Sequence, residues 1–202
     1  MYQPFNIQFV RMYKDSYLPR KPKDKTDSGF DVGVYDLKKL YVPKFKEFFE
    51  GENPSEEVQE FDSETGSLKN NRVVIPPFGR ALFGTGIKVM STIDDEYICE
   101  TLEWQSRSRS GLAATQGLIV LNAPGTIDHN YCGEILVNLY NSSFAYRTIN
   151  FHDRVAQIVP CPVYLPHKIN VITEGDVNID PVNLISNTKR GIDGHGSTGV
   201  NQ

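Results

Sequence analysis

Short β-rich stretches recur along almost the whole chain, and turn-forming clusters cut them apart. Residues 5–13, 31–35, 72–75, 80–89, 97–102, 117–121, 133–140, 148–151, 156–164 and 169–172 are rich in β-branched and aromatic side chains. Between them stand breakers such as Pro76-Pro77-Phe78-Gly79 and Ala123-Pro124-Gly125. Branched and aromatic residues suit a pleated, half-buried surface, whereas Pro and Gly serve where a chain must turn. Many short strands with little helical periodicity predict an all-β fold, a jelly-roll-like β-barrel. One short helix is expected just after Ser110, where Leu-Ala-Ala favours it. At 202 residues the chain is read as a single domain spanning 1–202.

Two segments break that pattern. Residues 36–71 are read as a surface insertion between strands, packed on the outside of the barrel. Within it Pro43 suits a first helical turn and Gly51 a stop, with Glu- and Ser-rich sequence following. Its Phe45, Phe48 and Phe49 could dock a partner protein. Residues 189–202 hold too many glycines for a core and are read as a C-terminal arm.

Charge and composition narrow the function classes. A formal net charge of −4 argues against nucleic acid or an anionic membrane as the main partner. No apolar run approaches the roughly 20 residues of a membrane span. Cys99, Cys132 and Cys161 are scattered without metal-ligand spacing, as reduced thiols in a cytoplasmic compartment would be. His129, His152 and His167 show no such spacing either.

The chemistry concentrates between residues 109 and 134. Arg109, Ser110 and Gly111 offer a guanidinium, a hydroxyl and an unobstructed amide where the short helix would begin, which suits an anionic ligand. A Gly/Pro-bent hairpin follows and presents Asn122, Asp128 and Tyr131 at fixed offsets. A carboxylate beside a bound phosphate chain is a candidate base for activating water. Trp104 and its neighbours read as barrel strand, and Asp153 with Arg154 as an ion pair bracing the segment 153–157.

Five separated segments resemble, in order, the sequence blocks of the homotrimeric dUTPases (deoxyuridine triphosphate nucleotidohydrolases). They are Asp27-Ser-Gly-Phe-Asp31, then Arg109-Ser-Gly-Leu-Ala113, then Asn122 with the run Gly125 to Gly133, then Asp153-Arg-Val-Ala-Gln157, and the tail from Arg190 to Gly199. The resemblance implies a trimer of jelly-roll-like subunits that share three active sites. It implies dUTP hydrolysis to dUMP and pyrophosphate, which lowers dUTP and supplies dUMP for dTMP synthesis. Asp128 would activate a water for attack on the α-phosphorus. Arg109, Ser110, Gly111, Gln157, Arg190, Ser197 and Thr198 would hold the phosphates. Asn122, Gly125 and Ile127 would read uracil, Tyr131 would lie under the deoxyribose, and His195 would stack on the base. Asp31 would help organise Mg²⁺ through water.

The match has departures and rivals. Asp193 and His195 stand in the tail where the family commonly has glycine and phenylalanine, and Thr115 stands near a position that often carries lysine. A dCTP deaminase on the same fold would want glutamate ten residues past Asp128, and Asn138 stands there. A regulatory protein on a dUTPase scaffold, binding its partner through 36–71, is the alternative from another class.

Overall fold

A computed structural model describes residues 5–21, 23–24, 26–43, 72–93, 97–98, 101–164 and 166. Its strands, in chain order, are β1 (Asn6–Arg11), β2 (Phe30–Gly33), β3 (Asp36–Tyr41), β4 (Arg72–Ile75), β5 (Arg80–Gly84), β6 (Ile87–Ile93) and β7 (Tyr97–Ile98). Then come β8 (Leu102–Ser108), the helix α1 (Ser110–Gln116), β9 (Leu118–Val120), β10 (Gly125–Ile127), β11 (Leu136–Asn141), β12 (Arg147–Asn150) and β13 (Arg154–Pro162). The all-β expectation with one short helix after the Arg-Ser-Gly run holds among these residues.

The strands form four antiparallel sheets, ordered β1-β6-β7, β10-β8-β13-β2, β3-β5-β11-β9 and β12-β4. Strands next to each other in sequence are often not neighbours in a sheet, as a jelly roll requires. Alternating side chains from the larger sheets meet in one core. Phe83, Val137 and Leu139 are fully buried there, with Trp104 and Ile158 from the facing sheet. Phe9 and Phe30 close one side by tilted ring contacts with Trp104. Trp104 keeps its indole N–H satisfied by donating to Ser91 Oγ at 3.0 Å.

Three expectations are corrected. The stretch 80–89 is two strands, because Gly86 sits at φ +65 and turns the chain between β5 and β6. The insertion does not begin at 36: Asp36–Tyr41 is strand β3, paired antiparallel with β5. Its charged side chains disguised it, yet Leu37 is buried and Asp36 is held in an ion pair. Residues 44–71, with the expected helix and its three phenylalanines, lie outside the described residues. The third correction concerns Asp153 and Arg154, which do not pair with each other. Asp153 closes its own turn by accepting from the Asn150 N–H at 2.8 Å and Nδ2 at 3.1 Å, while Arg154 turns to Asp31. The chain divides into two units, Met1–Tyr164 and Leu165–Gln202. The described site lies in the first, and the expected arm at 189–202 lies outside the described residues.

Candidate active site

The phosphate-grip half forms where β8 runs into α1. Arg109 is the helix N-cap in extended backbone (φ −79, ψ 127), which swings its side chain back across the sheet. Its Nε donates to Asp31 Oδ1 at 3.3 Å and its Nη1 to the Arg154 carbonyl at 2.9 Å. Arg154 Nη1 donates to the other Asp31 oxygen at 3.0 Å. Strand order explains the meeting, since β13 lies between β8 and β2 and pairs Gln157 with Asp31. A bulge between Arg154 and Ala156 re-aims the Arg154 side chain. Two guanidiniums on one carboxylate leave a net positive charge here, although the chain as a whole is acidic. Ser110 and Gly111 are exposed beside it, and the space around Gly111 is open. Gln157 lies against Gly29, so close that a Cβ there would overlap it.

Asp31 does not fit the metal role well. Its side chain is 1% exposed, and both oxygens are engaged by arginine. Among the described residues no three His, Cys, Asp or Glu side chains gather where a metal could be held. Asp31 is a brace that fixes two guanidiniums, and a buried carboxylate needs such partners to remain charged.

The hairpin half is built on the antiparallel pair of β9 and β11; the segment that joins them carries β10, which pairs instead with β8. Ala123 N–H donates to the Val120 carbonyl at 3.2 Å, and a cis peptide precedes Pro124. Asn122 is exposed and its side-chain amide rests against Gly125. Asp128, just past β10, is exposed, and no hydrogen bond or ion pair engages its carboxylate among the described residues. Tyr131 closes a turn by donating its N–H to the Asp128 carbonyl at 3.0 Å. The hydroxyl end of its ring lies against Gly133, where any Cβ would overlap it, and its hydroxyl donates to the Glu134 carbonyl at 2.9 Å. The residue as a whole remains 43% exposed.

One chain does not bring these halves together. Ile127 pairs with Trp104, so Asp128 lies beside the start of β8, whereas Arg109 follows its end. Asp128 falls opposite Glu103, six residues before Arg109, and at about 3.3 Å per residue that is roughly 20 Å along the strand. Arg109 also reaches towards Asp31 on β2, at the opposite edge of the sheet from β10. The two carboxylates therefore sit near opposite corners, on the order of 20 Å apart. Arg109, Asp31 and Gln157 are gathered, and so are Asn122, Gly125, Ile127, Asp128 and Tyr131, as two separate groups. Arg190, His195, Ser197 and Thr198 lie outside the described residues.

The sequence reading missed Arg154 as part of the grip. Plain period-two alternation hides it, since Arg154 and Gln157 are three residues apart and would face opposite ways without the register shift between Arg154 and Ala156. Asn138, the residue that argues against deaminase chemistry, has a buried Oδ1 without a hydrogen-bond partner. A concavity of about 450 Å³ on the outer face of the β3-β5-β11-β9 sheet is lined by Tyr41, Arg80, Leu121 and Tyr140 among others. Its lining includes none of the expected site residues.

The sequence model of the dUTPase family matches residues 71–199. A deoxyuridine 5'-triphosphate nucleotidohydrolase of Heliobacterium modesticaldum is 32% identical over 196 residues, covering 96% of this chain and 97% of its own. One from Hydrogenobaculum is 43% identical over 128 residues, covering 63% and 76%. Among solved structures, a Staphylococcus bacteriophage 80alpha dUTPase superposes with a TM-score of 0.59 at 19% identity, covering 96% of this chain and 99% of that one. A mutant dUTPase of S. aureus phage phi11, described as coordinating a structural Mg(II) ion, superposes at 0.55 with 19% identity over 82% and 96%. With most of its length matched by the family's own sequence pattern, with close homologues of that kind, and with their fold, the chain belongs to the dUTPase family.

Proposed function

We propose that this chain hydrolyses dUTP to dUMP and pyrophosphate in active sites shared between the subunits of a homotrimer. The observation that carries the reading is the pre-paired Arg109–Asp31–Arg154 cluster beside Ser110 and Gly111, a fixed positive charge on an acidic chain. Arg109, Ser110, Gly111 and Gln157 hold the phosphates, joined by Arg190, Ser197 and Thr198 of the arm. A neighbouring subunit supplies the hairpin, where Asp128 orients and deprotonates the water that attacks the α-phosphorus. Such a transfer needs positioning and charge neutralisation more than covalent chemistry. The triphosphate brings Mg²⁺ with it on this reading, since Asp31 has no free oxygen to offer.

Uracil presents carbonyl acceptors around an N–H, and the hairpin backbone with the Asn122 amide complements that edge. Cytosine reverses part of the pattern and would leave polar groups unpaired, at roughly 1–3 kcal/mol each. Tyr131 packs under the deoxyribose and leaves no room for a 2′-hydroxyl, and His195 stacks on the base. Asn138 cannot shuttle a proton to a cytosine amine, which disfavours the deaminase. A role in partner binding rests on residues 44–71 and adds to catalysis without replacing it. Among the described residues no helix is long and apolar enough to cross a membrane. The free thiols of Cys132 and Cys161 suit a cytoplasmic setting.

Pyrophosphate release measured side by side for dUTP, dCTP, dTTP and UTP tests the reading. Turnover confined to dUTP is expected. Comparable turnover of UTP, or ammonia released from dCTP, would overturn it.

A further inference from the structure

Tyr131 is tethered to a residue whose own position is fixed from outside the hairpin. Its hydroxyl bonds to the Glu134 carbonyl, so the tilt of the ring depends on where residue 134 lies. The Glu134 side chain, 11% exposed, is held twice: Oε1 accepts the Gly86 N–H at 2.7 Å, and Oε2 meets the Lys38 ammonium at 3.0 Å. The next residue is stitched to the same corner. Ile135 donates to the Ile87 carbonyl at 2.9 Å and accepts from Thr85 Oγ1 at 2.8 Å. Gly86 holds that corner in the left-handed region, so the corner has little freedom to follow a shift. Lys38 is shared with Asp36 at 2.7 Å, and all three charged side chains pack so closely over Gly84 that a Cβ there would overlap them.

A chain of contacts thus runs from β3 through Lys38 and Glu134 to the ring of Tyr131. We propose that Glu134 and Lys38 are positioning residues for the sugar: they hold the 131–134 turn at the height that admits deoxyribose and rejects ribose. The proposal rests on the reading of Tyr131 as the sugar platform. Only a carboxylate at 134 can accept from the Gly86 amide and also neutralise Lys38. A glutamine would keep the first contact and turn a donor towards the ammonium. Rejecting a single hydroxyl demands sub-ångström placement, so slackening this tether should blur selectivity before it slows chemistry.

The test is steady-state kinetics with dUTP and UTP on the full-length assembled protein. Glu134→Gln and Lys38→Met should each raise KM for dUTP about tenfold and narrow the dUTP-over-UTP preference by a similar factor, with kcat changed less than about threefold. Lys38→Arg, which restores the ion pair, should return both towards the parent values. Parent KM and preference in Glu134→Gln and Lys38→Met, alongside a lowered Tm, would show a merely structural pair and overturn the proposal. Lys38→Met keeps the apolar stem of the lysine, so it decides the matter even where a Glu134 variant fails to fold. Tyr131→Ala separates the two readings. If it loses the preference while Glu134→Gln keeps it, the positioning pair alone falls. If Tyr131→Ala keeps the preference, the platform reading falls and takes the pair with it.

Discussion

Asp31 and Asp128 are both site carboxylates, and the fold treats them in opposite ways. Asp31 is buried, with a guanidinium on each oxygen. Asp128 is exposed and unpartnered among the described residues. The difference follows from what each must do. A carboxylate that holds two arginines in place works before any ligand arrives, and burial with partners fixes the geometry in advance. A carboxylate that takes a proton from water must keep its lone pairs for that water, and an arginine beside it would make it a weaker base. The Asp31 cluster is already paired within a single chain, and the Asp128 carboxylate is exposed.

The largest expected effect is at Asp128. Asp128→Asn should lower kcat for dUTP by roughly 10²–10⁴-fold while the protein stays folded and binds nucleotide. Near-parental turnover by a folded variant would remove Asp128 from its role and with it the contrast with Asp31.

Mixing the two halves tests whether they come from different chains. Arg109→Gln and Asp128→Asn proteins should each be inactive alone. In trimers assembled from equal amounts of both, a site draws its hairpin from one chain and its grip from another. Random assembly then leaves about a quarter of sites with both intact, because a cyclic trimer has three equivalent interfaces. A co-expressed, co-purified mixture with no recovered activity would place the whole site in one chain.

Stability should separate the same residues in the reverse order. Asp31→Asn leaves two guanidiniums facing each other in a half-buried space, and should cost about 1–3 kcal/mol, read as a lowered Tm. Asp128→Asn should leave Tm within the scatter of surface substitutions. Equal Tm values for both would mean the arginine cluster contributes nothing to the fold.

The smallest effect concerns Lys38. Burial opposes its charge, but hydrogen bonds and Coulomb attraction from Asp36 and Glu134 outweigh that and hold its pKa above the ordinary lysine value. A raised lysine pKa gives stability that is fully present below the unfolded value of about 10.4 and is lost as pH rises through the folded one. The Tm deficit of Lys38→Met should therefore be constant across neutral pH and shrink only in stronger alkali. A deficit that already fades between roughly pH 6 and 8 would point to another titrating group.

Much of the fold was legible because strand and turn chemistry alternate so plainly. The stretch 72–75 coincides with β4. What misled were residues with two readings. The run Asp36 to Lys39 looks solvated, yet Lys38 lays its stem over Gly84 and spends its charge on Asp36 and Glu134. The break was visible as two glycines, Gly84 and Gly86, in a strand pattern, and the left-handed φ of Gly86 is what that signal meant. Site residues were legible as a set, since Arg-Ser-Gly and the hairpin carry specific chemistry. Their grouping was not, because a motif order states which residues are present and not which of them lie together in one chain. Strand register gives the separation within one chain: Ile127 opposite Trp104 puts Asp128 at the far end of β8 from Arg109.

That division along β8 has a kinetic consequence. If neither half can act without another chain, the rate at low protein concentration should not scale with the amount of enzyme. Below the concentration at which the assembly dissociates, halving the protein would more than halve the rate, and specific activity would fall on dilution. Measured over a dilution series, a specific activity that stays level while light scattering reports free subunits would show that a lone chain suffices. A falling one would make abundance itself a control on dUTP, with a cell that makes little of this protein having disproportionately little activity.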